Sequence, residues 1–178
     1  MNRINRAIGW RAGLVIALAA MTVAMAAARA HARDYVAAPE LASYPAGWIV
    51  VRTAERRLYY VAGQGRAIRY PVGVGAAGRQ WQGVKYVEEL AVEPAWAPPE
   101  SMKRVRPNLP DMIPPGPRNP MGARVIGLGP GGEYAIHGTN DPSSVGKFVS
   151  FGCIRMFNDD VIDLYSRVRM GTPVVVTR

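Results

Sequence analysis

AIHGTNDPSSVGKFVSFGCIRM, residues 135–156, contains the two most reactive side chains of this chain. Cys153 is the only cysteine of the protein, and His137 is the only histidine after position 31. The segment begins as a strand, continues through a loop rich in Gly, Asn, Pro and Ser, and ends in an apolar approach to the thiol. Gly138 and Gly152 flank the two side chains, where backbone without a Cβ can approach a ligand closely. This pattern favours a cysteine nucleophile paired with a histidine base.

The single thiol also admits a purely structural interpretation. Cys153 cannot form an internal disulfide, so the fold is not held together by such bridges. Four apolar neighbours could bury it as an inert core residue: Phe148, Val149, Phe151 and Ile154. One cysteine and one histidine supply two ligands where a structural zinc takes four, so the sequence does not favour a metal site.

The first 32 residues have the pattern of a secretory signal peptide. A basic start carries Arg3, Arg6 and Arg11 without an acid, and an apolar run of 15 residues follows at 14–28. The small residues after this run fit an export peptidase. A retained membrane anchor is the alternative, but the run is shorter than the roughly 20 residues that span a bilayer. We therefore expect cleavage near residue 32 and export to the periplasm or cell envelope.

The net charge of the exported part is modest. The leader holds four of the 22 Lys and Arg residues and none of the 13 acids, which leaves +5 on about 146 residues. That length suits a single domain. The positive excess could favour an anionic polymer such as cell wall, or it could be a solvated surface without a partner. The sequence has no dense basic run and no recognition motif, so it does not indicate a nucleic-acid partner.

The chain after residue 46 has the pattern of a β-meander. Residues 33–46 lack periodicity, and we interpret them as a linker to a domain at 47–178. Strand patterns rich in aromatic and β-branched residues occur at 48–52, 58–61, 67–72, 84–90, 124–128 and 134–136. The glycines at 73, 75 and 78 precede another strand rather than a helix, so they are not typical of a nucleotide-binding loop.

Residues 94–120 hold nine of the 15 prolines. This density argues against any helix or central strand in the segment. A loop of this length in a compact domain is usually functional or disordered. Apolar residues such as Trp96 and Ile113 offer anchors, so we expect an ordered flap beside the site, with a mobile surface loop as the alternative.

One helix is predicted, directly after the thiol. Asn158 suits the N-cap, and Asp159 and Asp160 suit the first turn. An apolar stripe at positions i, i+3, i+4 and i+7 follows: Val161, Leu164, Tyr165 and Val168. Gly171 and Pro173 end the helical pattern, and 173–177 is predicted to be a strand of the sheet.

Four motifs together resemble the YkuD-type L,D-transpeptidases of bacterial cell walls. They are His137-Gly138-Thr139-Asn140, Ser150-Phe151-Gly152-Cys153-Ile154-Arg155-Met156, Gly171-Thr172-Pro173-Val174 and Asn119-Pro120-Met121-Gly122. The resemblance covers about residues 48–177. It implies a mainly β fold, a YkuD-like β-sandwich with one short helix in its C-terminal half and a long proline-rich loop.

The resemblance also implies roles for individual residues. Cys153 is the expected nucleophile and His137 the base, with the carbonyl of Gly138 fixing the histidine tautomer. Backbone N–H groups at Gly152 and Cys153 are expected to hold the oxyanion. The other candidates for substrate contact are Arg155, Ser150, Phe151, Gly152, Thr139 and Asn140.

Three of these candidates carry a qualification. Arg155 suits either a substrate carboxylate or a structural salt bridge to Asp159 or Asp160. Ser150 also suits a local hydrogen bond. Phe151 departs from the family pattern, which commonly has histidine there, and this affects transition-state stabilisation and substrate preference. A second departure, at residues 81–83, replaces a Thr-Pro-x-Gly turn, and we interpret it as scaffold variation.

The implied reaction is acyl transfer that needs no metal and no organic cofactor. Cys153 would attack the carbonyl of the third residue of a peptidoglycan stem peptide, meso-diaminopimelate, and expel the terminal D-Ala. The acyl group would pass to the amine of another stem or to a lysine of an envelope lipoprotein or outer-membrane protein. An L,D-carboxypeptidase or other hydrolase using the same site is one alternative, and a non-catalytic wall-binding module is another. We expect the protein to be a monomer.

Overall fold

The computed structural model describes residues 34–130 and 134–178. The predicted signal peptide, residues 1–32, lies outside these ranges. Among the residues described, none of the helices has the length and apolar character needed to cross a membrane. The architecture is mainly β, which confirms the fold class predicted from the sequence.

The described residues form eleven strands and two α-helices. The strands are β1 Asp34–Ala37, β2 Ile49–Arg52, β3 Arg57–Gly63, β4 Arg66–Pro71, β5 Val74–Gly75, β6 Gly83–Val92, β7 Arg124–Leu128, β8 Tyr134–His137, β9 Phe148–Ser150, β10 Ile154–Arg155 and β11 Pro173–Thr177. The helices are α1 Glu100–Val105 and α2 Asn158–Tyr165. Nine strands form one sheet in the order β1-β4-β3-β2-β11-β6-β7-β8-β10, and β5 pairs with β9.

The two ends of this strand order meet. Gly73, just after β4, exchanges two backbone hydrogen bonds of 2.8 Å with Arg155 of β10. Residues from both ends share one core, because Tyr70 of β4 packs in the same buried cluster as Ile126 of β7 and Ile136 of β8. The sheet therefore folds over itself like a sandwich and leaves the outer face of β7, β8 and β10 available for a site.

Strand β11 lies in the middle of the sheet. It pairs in parallel with β2 on one side and antiparallel with β6 on the other. Val174 and Val176 face the core, as the alternating pattern of β11 predicts. This strand joins the half of the sheet built from β1 to β4 to the half that carries the candidate site.

The interpretation of residues 33–46 as a linker is wrong for the described residues 34–46. β1 pairs along its whole length with β4. Ala38 and Leu41, each 1% exposed, pack with Val50 and Tyr59 in a second buried cluster. The segment covers the outer face of β2, β3 and β4. It has no periodicity because it crosses this face instead of following it as a long strand.

The proline-rich segment is ordered by backbone pairing and by one buried side chain. Trp96 and Ile113 exchange two backbone hydrogen bonds. Asn119 is 1% exposed; its Nδ2 lies 2.8 Å from Pro94 O and 3.2 Å from the carbonyl oxygens of Ile113 and Pro114. The prediction that proline density excludes a helix here is wrong for α1. Its prolines lie outside the helix, and Pro99 stands at the N-cap, next to the first turn where proline is tolerated.

Helix α2 packs Val161 and Leu164 into the main core, as predicted. It is shorter than the predicted stripe and ends at Tyr165, so Val168 reaches the core from the following turn. The predicted N-cap is wrong by one residue, because Phe157 takes that position and Asn158 is the first helical residue. The Asn158 side chain bonds elsewhere, to loops beside the site.

Candidate active site

Strand alternation places the candidate catalytic residues on one face. β8 and β10 pair in parallel, with Ile154 opposite Ile136 and Arg155 opposite His137. Both isoleucines face the core. Because neighbours in a strand point to opposite faces, His137 and Arg155 face outward, and so does Cys153, which directly precedes β10.

Cys153 and His137 line one cavity of about 500 Å³ together with Arg155. Cys153 is partly exposed, whereas His137 is only 4% exposed. The proline-rich segment supplies apolar wall residues, among them Trp96 and Met102. The segment thus lies beside the site, as the flap prediction required. The alternative of a thiol sealed among hydrophobic neighbours is wrong, since Cys153 opens onto a cavity that also holds the imidazole.

A backbone carbonyl fixes the orientation of the His137 ring. Nδ1 lies 2.6 Å from Gly138 O. A carbonyl oxygen only accepts, so Nδ1 is the nitrogen that carries the proton, and Nε2 presents a lone pair. Burial, with a smaller contribution from the Arg155 guanidinium, lowers the pKa of His137 to about 4, against the opposing effect of the Gly138 hydrogen bond. The expected hydrogen bond between the Gly138 carbonyl and the His137 ring is present. That this bond serves catalysis stays a prediction.

Burial has the opposite effect on the thiol. It raises the pKa of Cys153, while a backbone hydrogen bond from Ala135 and the positive charge of Arg155 partly oppose this shift. Both shifts favour the uncharged forms, a neutral thiol and a neutral imidazole. They therefore favour loss of the thiol proton during attack over a preformed ion pair.

The turn that presents the thiol is braced by Ser150. Its Oγ donates to Cys153 O at 2.6 Å and accepts from Gly152 N–H at 3.1 Å. This supports the local hydrogen-bonding alternative for Ser150, because both functions of its hydroxyl serve the turn. The Gly152 N–H is occupied by the same contact, so the expectation that it holds an oxyanion is not supported. The N–H of Cys153 is the better candidate.

Two aromatic residues support the same turn from outside. Trp81 Nε1 donates to Gly152 O at 3.0 Å and its ring stacks on Tyr134 at 4.7 Å. Gly152 has φ +123°, and a Cβ there would lie 2.6 Å from the Tyr134 ring. Trp81 is therefore more than the scaffold variation that we predicted, since it holds the backbone next to the nucleophile. Its only signal in the sequence was the departure at residues 81–83 from the Thr-Pro-x-Gly turn that the resemblance implied.

Phe151 lines the cavity, as predicted for a substrate-contacting residue. The guanidinium of Arg79 lies 3.8 Å from the centre of its ring. This cation–π contact fixes the ring at the position where the resemblance implied a histidine.

Arg155 has spare hydrogen-bonding capacity inside the cavity. Its buried Nε has no hydrogen-bond partner, and the guanidinium makes no ion pair within residues 34–130 and 134–178. The ion pairs among the described residues do not include the predicted alternative, a salt bridge from Arg155 to Asp159 or Asp160. This leaves the other expectation, an anionic group of a substrate.

Thr139 and Asn140 were predicted to contact substrate beside the thiol, and the structure corrects this placement. Both line a separate cavity of about 340 Å³. The Thr139 hydroxyl accepts from Asp141 N–H at 3.0 Å, and Asn140 Nδ2 donates to Arg118 O at 2.9 Å. Their side chains shape the loop after His137, which turns away from the Cys153 cavity.

Asn158 is a positioning residue that sequence reasoning missed. Its Oδ1 accepts from the N–H groups of Ala123 and Thr139 at 3.0 and 3.1 Å, and its Nδ2 donates to Thr139 O at 3.1 Å. A Cβ on Gly138 would collide with Asn158 Oδ1, which explains the glycine next to the histidine. The side chain thus joins helix α2 to the loop that carries the Gly138 carbonyl.

These features define a class of site: a thiol and a tautomer-fixed imidazole in one cavity, on the outer face of a β-sandwich. The described residues contain no group of three or more His, Cys, Asp and Glu side chains that could hold a metal ion.

The YkuD L,D-transpeptidase catalytic domain matches residues 46–176, and the chain belongs to this family. It is 43% identical over 137 residues to the "Probable L,D-transpeptidase ErfK/SrfK" of Salmonella typhimurium, covering 72% of this chain and 43% of that protein. It is 38% identical over 135 residues to the "Probable L,D-transpeptidase YbiS" of Escherichia coli, covering 71% of this chain and 43% of that protein. The chain thus spans less than half the length of these relatives.

Solved structures share the fold. L,D-transpeptidase 3 from Mycobacterium tuberculosis superposes with a TM-score of 0.57 at 16% identity, covering 75% of this chain and 62% of that one. The catalytic domain of the Enterococcus faecium L,D-transpeptidase acylated by ertapenem gives 0.55 at 20% identity, covering 73% of this chain and 95% of that one.

Proposed function

We propose that this protein is an L,D-transpeptidase that transfers a peptidoglycan stem peptide from a Cys153 thioester to an amine. The observation that carries the proposal is the shared cavity, in which a thiol, an imidazole with a free Nε2 and an unpaired guanidinium face the same space. Membership of the L,D-transpeptidase family supports it.

The neutral forms that both pKa shifts favour set the order of proton transfers. Cys153 Sγ attacks the carbonyl carbon of the third stem residue while His137 Nε2 takes the thiol proton. The bond to the terminal D-Ala then breaks, and His137 returns the proton to the leaving amine. The N–H of Cys153 is the candidate donor to the oxyanion. Arg155, beside His137 in the paired strands, suits the carboxylate of the departing D-Ala.

The acceptor decides the product. Another stem's amine would give a cross-link, a lysine of an envelope protein would give an anchored protein, and water would give an L,D-carboxypeptidase. We propose the stem amine as acceptor, in an exported protein of the periplasm or cell envelope. The leader pattern of residues 1–32 supports this location.

Purified stem tetrapeptides test the proposal. We expect the wild-type protein to release D-Ala, to form a thioester detectable by intact-protein mass spectrometry, and to yield cross-linked dimers. Cys153→Ala is expected to fold normally and to form neither thioester nor product. A carbapenem should add covalently to the wild-type protein and not to this variant.

Met112→Ala, at a residue that is 63% exposed and does not line the cavity, is the matched control and should keep full activity. Trimmed tripeptide without dimer would favour the hydrolase. The absence of any adduct on the wild-type protein, or an adduct on Cys153→Ala, would contradict the proposal.

A further inference from the structure

A carboxylate lies in the same cavity as the thiol, and the mechanism above does not use it. Glu89 of β6 lines the cavity together with Cys153 and Arg155. Its side chain is exposed to solvent and makes no ion pair within the described ranges 34–130 and 134–178. The cavity therefore has an unpaired anion as well as an unpaired cation.

The strand register puts Glu89 in one row with the nucleophile. Glu89 pairs with Gly127, and Gly127 pairs with Ala135. Extended by one position, the pairing of Ile154 with Ile136 puts Cys153 next to Ala135, whose backbone hydrogen-bonds to the thiol. Directly paired residues share a face of the sheet, so Glu89, Gly127 and Ala135 form a row across β6, β7 and β8, and Cys153, just before β10, continues it.

The middle of this row is open because its two central residues are small. Glycine and alanine at 127 and 135 leave a trough whose floor is nearly bare backbone. The Glu89 side chain leans into this trough, because a Cβ built on Gly127 would lie 3.1 Å from Glu89 Oε2. A β-bulge between Val87 and Glu89 makes this possible, since Val87 stays in the core while Glu89 faces outward.

The length of the trough determines which substrate side chain can span it from the thiol to the Glu89 carboxylate. The carboxylate above β7 is two strand spacings from the strand of Cys153, or about 10 Å. An ammonium separated from an acyl carbon by six single bonds lies roughly 7.5 Å from it when extended. A charged hydrogen bond of about 2.8 Å closes the remaining distance. The methylene chain between the two groups would run over Gly127 and Ala135, beside the apolar wall that includes Trp96.

We propose that Glu89 binds the side-chain ammonium of a diamino acid whose acyl carbon is attacked by Cys153. This inference rests on the proposed acyl transfer and adds a determinant of donor specificity. An acceptor amine does not fit the same position, because it must come within bonding distance of the thioester carbon and not remain about 10 Å away. Glu89 thus binds the side-chain ammonium of the acyl donor, while Arg155 suits the carboxylate of the D-Ala that leaves.

The test compares two tetrapeptide donors with and without Glu89. One donor carries a third residue with a free side-chain ammonium, and the other carries the same residue with that amine acetylated. Acylation is followed by D-Ala release without an added acceptor, and transfer is followed separately with an added amine. We expect Glu89→Gln to lower kcat/KM for acylation by the cationic donor about fivefold, a modest loss because the carboxylate is exposed, and to leave the acetylated donor unchanged.

Glu88→Gln is the matched control, since Glu88 is the neighbouring exposed glutamate and does not line the cavity. It should change neither donor. Glu89→Lys should reverse the preference toward a donor whose third residue ends in a carboxylate, which a merely structural glutamate would not do. An equal loss for both donors, or a loss confined to the transfer step, would overturn the assignment. If the wild-type protein is acylated by neither donor, the proposed function fails, and this inference fails with it.

Discussion

Replacing Asn119 by alanine tests whether one buried amide holds the proline-rich wall of the cavity in place. The side chain is 1% exposed, and its Nδ2 lies within 3.2 Å of three carbonyl oxygens, those of Pro94, Ile113 and Pro114. Its Oδ1 accepts from Met121 N–H at 2.8 Å. The amide has two donor hydrogens, so it makes two full donations and one acceptance. At about 1 kcal/mol for each net hydrogen bond, Asn119→Ala should cost about 3 kcal/mol of unfolding free energy.

Urea denaturation measures this cost, and limited trypsin digestion shows where the structure opens. We expect new cleavage in the segment 94–120, which carries Lys103, Arg104 and Arg118. Asn119→Asp separates donation from acceptance: it keeps an acceptor for Met121 N–H but turns a carboxylate toward carbonyl oxygens, so it should be at least as destabilising as alanine.

Asn140→Ala is the matched control, because it removes a single exposed hydrogen bond to Arg118 O. Its cost should stay below about 1 kcal/mol. Equal stability of Asn119→Ala and Asn140→Ala, with unchanged trypsin cleavage, would refute the view that Asn119 orders the segment.

Two further predictions concern His137 and Trp81. The pKa of His137 is lowered to about 4 in the folded protein, below the unfolded value near 6.5. The unfolded chain therefore binds more protons between these values, so the contribution of His137 to stability is complete above pH 6.5 and falls by up to about 3 kcal/mol as the pH drops to 4. Urea midpoints measured across this range should show the slope, and His137→Gln should flatten it; parallel curves would contradict the assignment. Trp81→Phe keeps a ring stacked on Tyr134 but removes the donor to Gly152 O, so acylation by a carbapenem should slow about tenfold while unfolding free energy changes by about 1 kcal/mol or less. Unchanged acylation kinetics would show that this hydrogen bond does not position the nucleophile.

The parts of the fold that follow from local pattern were predictable. Strands β2, β3, β4, β7 and β8 were each found to within about two residues, because their apolar positions alternate within a short run. The candidate catalytic pair, Cys153 and His137, was also predictable, because the sequence after the predicted leader has only one cysteine and one histidine. Their common outward face follows from the same alternation once β8 and β10 pair.

Contacts between distant segments were not predictable from one sequence. The row from Glu89 to Cys153 depends on the register of four strands, and neither the bulge in β6 nor the parallel pairing of β10 has a local signal. Asn119 and Asn158 have the appearance of a turn residue and a helix cap, although their amides connect separate loops. Residues 34–46 were mistaken for a linker because only a few of their side chains are buried.

The central place of β11 has a consequence for how the chain reaches its native state. The two strands that flank β11 lie far upstream, so synthesis must pass Pro173 before β2 and β6 can be joined. A nascent chain stopped short of that point exposes two unsatisfied strand edges at once, which are templates for pairing with other chains. Contacts of such long sequence separation also slow folding. We therefore expect the joining of the two halves of the sheet through β11 to be a late step of folding, after each half has paired its own strands.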